Sequence, residues 1–258
     1  MSLFDLTGKV AVITGSSRGI GRAIAQAMAA QGAKVVISSR KPDACLEAME
    51  AINAMHGAGT AFACAANIGS KDALRGLVDA ARARFGRIDI LVCNAASNPY
   101  YGPMAGISDE QFRKILENNV LANHWLIGMV APEMRERRAG SIIIISSIGG
   151  LTSSTVIGAY NISKAADLQL ARNLAAEYGP DAVRVNCIAP GLVQTDFARA
   201  IWENPDTLKS MTACVALRRI GQPIEVAGAA VYLAADASAF TTGQVIVVDG
   251  GATIGVGL

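Results

Sequence analysis

The sequence predicts an α/β protein in which seven parallel strands form one doubly wound sheet with helices on both faces. Three observations carry this prediction. Short runs rich in β-branched and apolar residues alternate with helix-length segments from one end of the chain to the other. Those runs are apolar nearly throughout, as strands covered on both faces must be, while the charge sits on the helical segments. A glycine-rich turn, GSSRGIG at 15–21, joins the first run to the first helical segment.

The elements follow in order. KVAVIT at 9–14 is the first strand, and the helical pattern after it spans about 19–31. KVVISS at 34–39 leads into a helix over 43–56, and TAFACAA at 60–66 into a helix over 71–85. RIDILVCN at 87–94 is followed by one long helix over 109–137, and SIIIISS at 141–147 by a helix over 158–178. VRVNCIA at 183–189 is the sixth strand; a helix over 223–234 and the strand QVIVVD at 244–249 complete the chain. This is the rhythm of repeated βαβ units, and no second domain is expected within 1–258. Residues 192–220 exceed an ordinary connection. Their mixture of Phe197, Ile201, Trp202 and Leu208 with charged residues suits a short helical pair acting as a lid over an apolar substrate, or plain packing.

Composition excludes several classes. The 258 residues are 52% hydrophobic and 17% charged, too apolar for disorder and sufficient for a sheet covered on both sides. A formal charge of +2 with scattered basic residues leaves no nucleic-acid footprint. Charged, polar and glycine residues break every apolar stretch well short of the roughly 18 residues of a membrane span. The first residues lack a basic, cleavable leader pattern, so secretion is not expected. Five widely separated cysteines suit reduced thiols in a cytosolic compartment. The two histidines, His56 and His124, have no metal-ligand pattern around them, so no metal site is expected.

The chemistry is concentrated in AYNISKAAD. Tyr160 and Lys164 are i and i+4 on a helix and share a face, so an ammonium sits beside a phenol and favours its phenolate form. Such a phenol can give a proton to a carbonyl oxygen, or take one from an alcohol, while hydride moves on the carbon. Ser147, thirteen residues upstream, would hold the same oxygen. In the turn after the first strand, Gly15, Ser17, Arg18, Gly19, Ile20 and Gly21 let backbone N–H groups approach a diphosphate at a helix N-terminus. Together these features read as a nicotinamide-dependent oxidoreductase. The second strand ends S38-S39-R40-K41, without the acid that would accept both ribose hydroxyls of NAD. Ser39 and Arg40 suit a 2′-phosphate, with Arg18 facing the same phosphate, and this favours NADP(H). Solvation of Arg40 and Lys41 at a strand end is the competing account.

The spacing G-x-x-x-G-x-G, CNAA at 93–96, Asn119, Ser147, YNISK and PGLVQT at 190–195, in this order and over essentially the whole chain, resemble the short-chain dehydrogenases/reductases, whose fold is Rossmann-like. The resemblance implies that Asn119, Ser147, Tyr160 and Lys164 are catalytic, Asn119 anchoring a proton relay to Lys164, and that Tyr160 and Lys164 also contact the cofactor. It implies that Asn94, Ala95 and Ala96 pack against the adenosine ribose, in a loop where the family's N-N-A-G is altered. It further implies that Asn67 and Ile68 lie beside the adenine, Asn67 standing where many members have aspartate. Pro190, Gly191, Val193 and Thr195 match the segment that orients the nicotinamide.

The expected substrate walls are Ser147, Tyr160, Tyr100, Gly149, Ser154, Leu192, Phe197 and Trp202, mostly apolar or aromatic, which favours a small hydrophobic ketone, aldehyde or secondary alcohol. NAASNPYYGPM, PEMRERRAGSIIIISSIGG and IAPGLVQTDF most resemble the NADPH-dependent carbonyl and retinal reductase branch. A 3-oxoacyl-thioester reductase is the alternative; it would need basic surface at the pocket mouth, for which Arg135, Arg137 and Arg138 are candidates, unless they are a solvated helix end. A non-catalytic NADPH-binding regulator is the remote alternative, opposed by the intact Ser147, Tyr160 and Lys164. The resemblance also implies a homotetramer using the helices at 109–137 and 158–178 and the last helix and strand, with a dimer left open. The helix at 158–178 carries apolar Ile162, Ala166, Leu168, Leu170 and Leu174 on more than one side. Animal members of that branch end in a peroxisomal tripeptide; Val256-Gly257-Leu258 is not one, and the expectation is a cytoplasmic protein.

Overall fold

The computed structural model describes residues 3–255, so the tripeptide Val256-Gly257-Leu258 lies outside the described residues. Among those residues seven strands pair in parallel in the order β3-β2-β1-β4-β5-β6-β7. They are β1 (Val10–Thr14), β2 (Lys34–Ser38), β3 (Ala61–Ala63), β4 (Ile90–Cys93), β5 (Gly140–Ile145), β6 (Val183–Pro190) and β7 (Val245–Val248). The helices between them are α1 (Gly19–Ala30), α2 (Pro42–His56), α3 (Lys71–Phe85), α4 (Asp109–Leu116), α5 (Ala122–Glu136), α6 (Gly158–Tyr178), α7 (Arg199–Trp202), α8 (Pro205–Ala213) and α9 (Pro223–Ala234). The seven expected strands are present, the third trimmed to Ala61–Ala63 at the sheet edge.

Alternate residues of each strand feed two cores. Ile13, Val35, Ile37, Ile143 and Ile188 meet Ile24, Met28, Ile52, Val226 and Leu233 from α1, α2 and α9. Val12, Val36, Leu91, Ile142, Ile144 and Val185 meet Leu74, Leu126, Val130, Leu168 and Leu174 from α3, α5 and α6. Each such fully buried side chain contributes roughly 1.5–3 kcal/mol of transfer free energy, so the sheet is held from both faces. Of the apolar residues of α6, Leu168 and Leu174 belong to this core, whereas Ile162 is exposed. No helix among the described residues is long and apolar enough to cross a membrane.

Two departures from expectation bear on the site. The segment 109–137 is not one uniform α-helix: a π-helical turn, Glu117–Leu121, separates α4 from α5 and contains the buried Asn118 and Asn119. The backbone carbonyl of Asn119 accepts a 2.6 Å bond from the side-chain amide of Asn123, a polar interaction that an apolar periodicity does not register. The segment 192–220 folds as a short 3₁₀ turn, Asp196–Ala198, followed by α7 and α8, the latter started by Asn204, whose side chain accepts from the N–H groups of Asp206 and Thr207. A helical pair is therefore present where one was expected.

The strand order places β1 between β2 and β4, with Val12 opposite both Val36 and Leu91. The chain turns outward to β3 and then back across to β4, so the crevice beyond the carboxyl ends of β1 and β4 lies at the reversal of winding, where such sheets accept ligands.

Leu91, fully buried on the β4 strand, anchors one of the two cores. Leu91→Ala is expected to lower stability by about 2–5 kcal/mol, read as a shift of the denaturant midpoint without change of slope.

Candidate active site

The glycine turn is shaped by its neighbours before any ligand is considered. Gly15 and Gly19 have φ of +66° and +59°, a region open to glycine at little cost. A Cβ on Gly21 would lie 2.4 Å from the Gly15 carbonyl oxygen and 2.5 Å from Asn94 Nδ2, so the first turn of α1 rests directly on the loop. Asn94 Nδ2 donates to the carbonyls of Thr14 (2.8 Å) and Gly15 (3.1 Å). The backbone N–H groups of Asn94 and Ala95 both donate to Thr14 Oγ1. Ser16 Oγ donates to the Ile13 carbonyl and accepts from Ser38 N, tying the turn to β2. The N-cap residue, Arg18, makes no side-chain cap hydrogen bond to α1, and no acid occupies the helix's first turn. A glycine turn packed this tightly against the head of α1, with N–H groups there uncapped by Arg18, suits a dinucleotide diphosphate.

The residues expected to set the cofactor separate. Ser39 is held against Cys45, its N–H donating to Sγ at 3.1 Å. Arg40 is exposed and makes no hydrogen bond or ion pair to another described residue. Arg18, expected to face the same phosphate, pairs with Asp196 here: its Nη1 is 2.9 Å from Oδ2, an opposite charge within its reach. Asp196 also pairs with Arg199, and the two guanidinium groups hold its carboxyl below the ordinary value, chiefly through the Arg199 hydrogen bond. Asn67 is exposed, its Oδ1 accepting from Gly69 N, and Ile68 packs at the margin of the α3 core.

Lys164 is 2% exposed. Its Nζ donates to the Ile145 carbonyl at 2.9 Å and to Asp167 Oδ2 at 3.0 Å, and lies 5.7 Å from the Tyr160 ring centroid. Burial works against the ammonium, but Asp167 and Tyr160 outweigh it and hold the Lys164 pKa above its ordinary value. Asp167 is completely buried and accepts a second bond, 3.0 Å, from Asn123 Nδ2. Asn119, also fully buried, bonds Ser97 N and Ser97 O and donates to Ser163 Oγ, joining the loop after β4 to α6. Ser147 leaves β5 in extended conformation with its Oγ accepting from Gly149 N at 3.0 Å. A Cβ on Gly149 would lie 2.4 Å from Asn161 Oδ1, so this turn packs closely against α6.

The segment after β6 folds over the glycine turn. Gly191 approaches the Asp249 backbone so closely that a Cβ would lie 2.8 Å from its Cα, and Gly191 N donates to the Val248 carbonyl, bringing Pro190 and Gly191 to the strand ends. Val193 bridges to Gly221, and the methyl of Thr195 faces Gly19. Phe197 lies 6.0 Å from Tyr160 between ring centroids and is itself 64% exposed.

Three expected substrate walls have contacts of their own. Trp202 turns its indole N–H onto the Thr195 carbonyl at 2.8 Å, since a part-buried indole needs an acceptor, and lines a cleft of about 520 Å³ with Gly19, Arg22 and Gln222. Leu192 lines a separate cavity of about 110 Å³ with Leu217 and Val248. Tyr100 folds its hydroxyl back onto the Pro103 carbonyl within its own turn. Ser154 is used locally, accepting from Val156 N and Ile157 N ahead of α6. Arg135, Arg137 and Arg138 are at the opposite end of the sheet: Arg137 donates to the Ile88 carbonyl before β4, Arg138 to the Pro180 carbonyl before β6, and Arg135 to Asp181. They cannot border a mouth at the carboxyl ends of the strands. Sequence reasoning missed Asp167 and Asn123. The signal was a carboxylate three residues after Lys164 on a helix face otherwise apolar.

Comparison with known proteins agrees with this geometry. A profile of the family described as Enoyl-(Acyl carrier protein) reductase matches residues 15–253. Dehydrogenase/reductase SDR family member 4 of Oryctolagus cuniculus is 40% identical over 247 residues, covering 96% of this chain and 94% of that protein. A 7 alpha-hydroxysteroid dehydrogenase complexed with NADH and 7-oxo glycochenodeoxycholic acid superposes with a TM-score of 0.92 at 36% identity, covering 96% of each chain. A 3-oxoacyl (acyl-carrier-protein) reductase from Agrobacterium tumefaciens C58 with NADP bound gives a TM-score of 0.90 at 33% identity, again over 96% of each chain.

Gly21→Ala forces its methyl into the Gly15 carbonyl and the Asn94 amide. The variant is expected to keep its far-ultraviolet circular dichroism but to lose dinucleotide binding by at least tenfold, roughly 1.4 kcal/mol or more, in a fluorescence titration with NADPH.

Proposed function

Since the chain belongs to the short-chain dehydrogenase/reductase family of oxidoreductases, we propose that it reduces a hydrophobic ketone or aldehyde with NADPH, and oxidises the alcohol in reverse, with Tyr160 as the acid/base. The observation that carries this reading is the setting of Tyr160: the buried Lys164 ammonium lies 5.7 Å from its ring centroid and the Phe197 ring lies 6.0 Å from it. That is a proton donor with a fixed cation and an aromatic ring beside it.

The glycine turn, Asn94, Ala95 and the N-terminus of α1 would hold the diphosphate and adenosine ribose. Ser39 and Arg40 would meet the 2′-phosphate. Residues Pro190, Gly191, Val193 and Thr195 would hold the nicotinamide end. A bound nicotinamide supplies the hydride. Ser147 Oγ donates to the carbonyl oxygen and holds it at Tyr160, which delivers the proton as negative charge develops there. Lys164 stabilises the phenolate left behind. Asn119 keeps the loop after β4 and α6 in register so that these groups share one edge. Phe197, 6.0 Å from the Tyr160 ring, would present an apolar edge to the substrate.

The NADPH preference rests on Arg40, free and exposed where an acid would favour NADH. The similar structures include one with NADH and one with NADP, so the choice belongs to this chain's own residues. The thioester reductase reading shares the reaction and gains from the name of the matching family, but the arginines that favoured it stand at the wrong end of the sheet. A homotetramer is part of the proposal. Val247 on the edge strand β7, Ile224 on α9, the nearby Phe240, and Ile162 on α6 are apolar residues exposed on surfaces that such an assembly would cover.

Initial rates of NADPH and NADH oxidation against an aromatic ketone, an α-diketone, retinal and an acetoacetyl thioester test the reading; NADPH with the ketones or retinal is the expected preference, and a thioester preference would replace it. Tyr160→Phe should lower turnover by about 10²-fold or more while NADPH still binds; near-normal turnover would sink the mechanism. Arg40→Asp should shift the NADPH-to-NADH ratio of kcat/KM towards NADH by roughly tenfold or more, and an unchanged ratio would assign Arg40 to solvent.

A further inference from the structure

Besides Tyr160, the Lys164 ammonium meets a carboxylate. Asp167 is wholly buried on the same helix, one turn on, and its two oxygens are divided: Oδ2 accepts from Lys164 Nζ at 3.0 Å and Oδ1 from Asn123 Nδ2 at 3.0 Å. Asn123 Nδ2 also donates to the Asn119 carbonyl at 2.6 Å, in the π-helical turn. A continuous run of hydrogen bonds therefore leads from Tyr160's cationic neighbour through Asp167 and Asn123 to Asn119. Two of the three Lys164 ammonium protons are committed, one to Asp167 and one to the Ile145 carbonyl. The Nζ can neither swing nor rotate freely.

We propose that Asp167 is a positioning residue of the reaction: it fixes Lys164 in place and, by balancing its charge, sets the pH at which the Tyr160–Lys164 couple gives up its proton. The inference deepens the reading of Tyr160 as acid/base and rests on it for its catalytic meaning. A buried anion about 3 Å from the ammonium offsets part of the positive potential that favours the phenolate, so the couple keeps its proton to higher pH than an unbalanced lysine would allow. That suits a proton donor in carbonyl reduction.

The surroundings leave few other groups to titrate. From β4 and β6 the thiols of Cys93 and Cys187 face the pair, and burial pushes both far above their ordinary range, so they stay neutral. The β5 strand contributes the Ile145 carbonyl, and the Ser146 hydroxyl after it bonds the Lys164 carbonyl. From the π turn and α5 come Asn119 and Asn123, which do not ionise. Farther along α6, Arg172 is exposed. Tyr160, Lys164 and Asp167 remain as the groups whose charge the couple's titration reports.

The experiment is a pH titration of the phenolate absorbance near 295 nm, taken as the difference between a protein and its Tyr160→Phe counterpart, in the parent and in Asp167→Asn. It needs no substrate, so it stands whether or not the ketone panel is turned over. Thermal unfolding checks that each variant is folded. Replacing the carboxylate by a neutral amide removes the negative charge, so the expected midpoint moves to lower pH by about one unit or more. The limb of kcat/KM for alcohol oxidation should move with it. A folded Asp167→Asn that titrates like the parent overturns the proposal and leaves the Tyr160 mechanism untouched. Should Asp167→Asn fail to fold, Asn123→Ala takes its place. It keeps both charges and removes from Asp167 the amide dipole that partly offsets its negative potential, so the midpoint should move the opposite way, to higher pH, by a smaller step; an unmoved midpoint there overturns the proposal equally.

Discussion

A lysine ammonium withdrawn almost completely from water is the constraint around which this fold is arranged. Removing one ion from solvent costs several kcal/mol, and the cost is met only where partners with good geometry wait inside. Lys164 finds a carbonyl at the end of β5 and the carboxylate of Asp167. Asp167 in turn requires Asn123, and the second bond of Asn123 goes to a carbonyl of the π-helical turn. Asn119 extends the network to Ser97 and Ser163. Each member satisfies the next, so the polar groups around Lys164 behave as one unit spanning the carboxyl end of β5, the helices α5 and α6, and the loop after β4. A half-satisfied network at this depth would cost more than an apolar core.

The sheet supplies the frame for that unit. Its residues alternate between two apolar cores, which fixes the register of each strand and with it the height at which each loop leaves the carboxyl edge. The glycine turn, the Asn94 loop, Ser147 and the Pro190–Gly191 turn all leave from that edge. The arginines of residues 135–138 leave from the other edge and are occupied with carbonyls and acids there. The sheet thus separates the loops at its carboxyl edge from the basic cluster at its amino edge.

Much of this was legible in the residues. Period and apolarity locate all seven strands and the main helices, because a parallel sheet buried on both faces leaves little room for any other pattern. Tyr160, Lys164, Ser147 and the glycine turn declare themselves by chemistry and spacing. What was not legible depends on side-chain direction. Nothing in the spacing tells that Arg18 turns to Asp196, 178 residues away, or that the indole of Trp202 turns to Thr195. The π-helical turn escaped because its cause is polar, two buried asparagines and a third that bonds a backbone carbonyl. Asp167 was visible as a letter in AYNISKAAD, but its burial depends on β6 and α5 closing over it.

The side chain of Asn94 closes the glycine turn from a position 80 residues further along the chain than Thr14, with which it bonds. A ribosome adding roughly 5–20 residues per second therefore needs about 4–16 s, after β1 is made, before the residue that closes the glycine turn even exists. The nascent chain passes through that interval with its glycine turn made but not yet closed, and β1 and α1 wait for the loop after β4 before the turn takes its final shape.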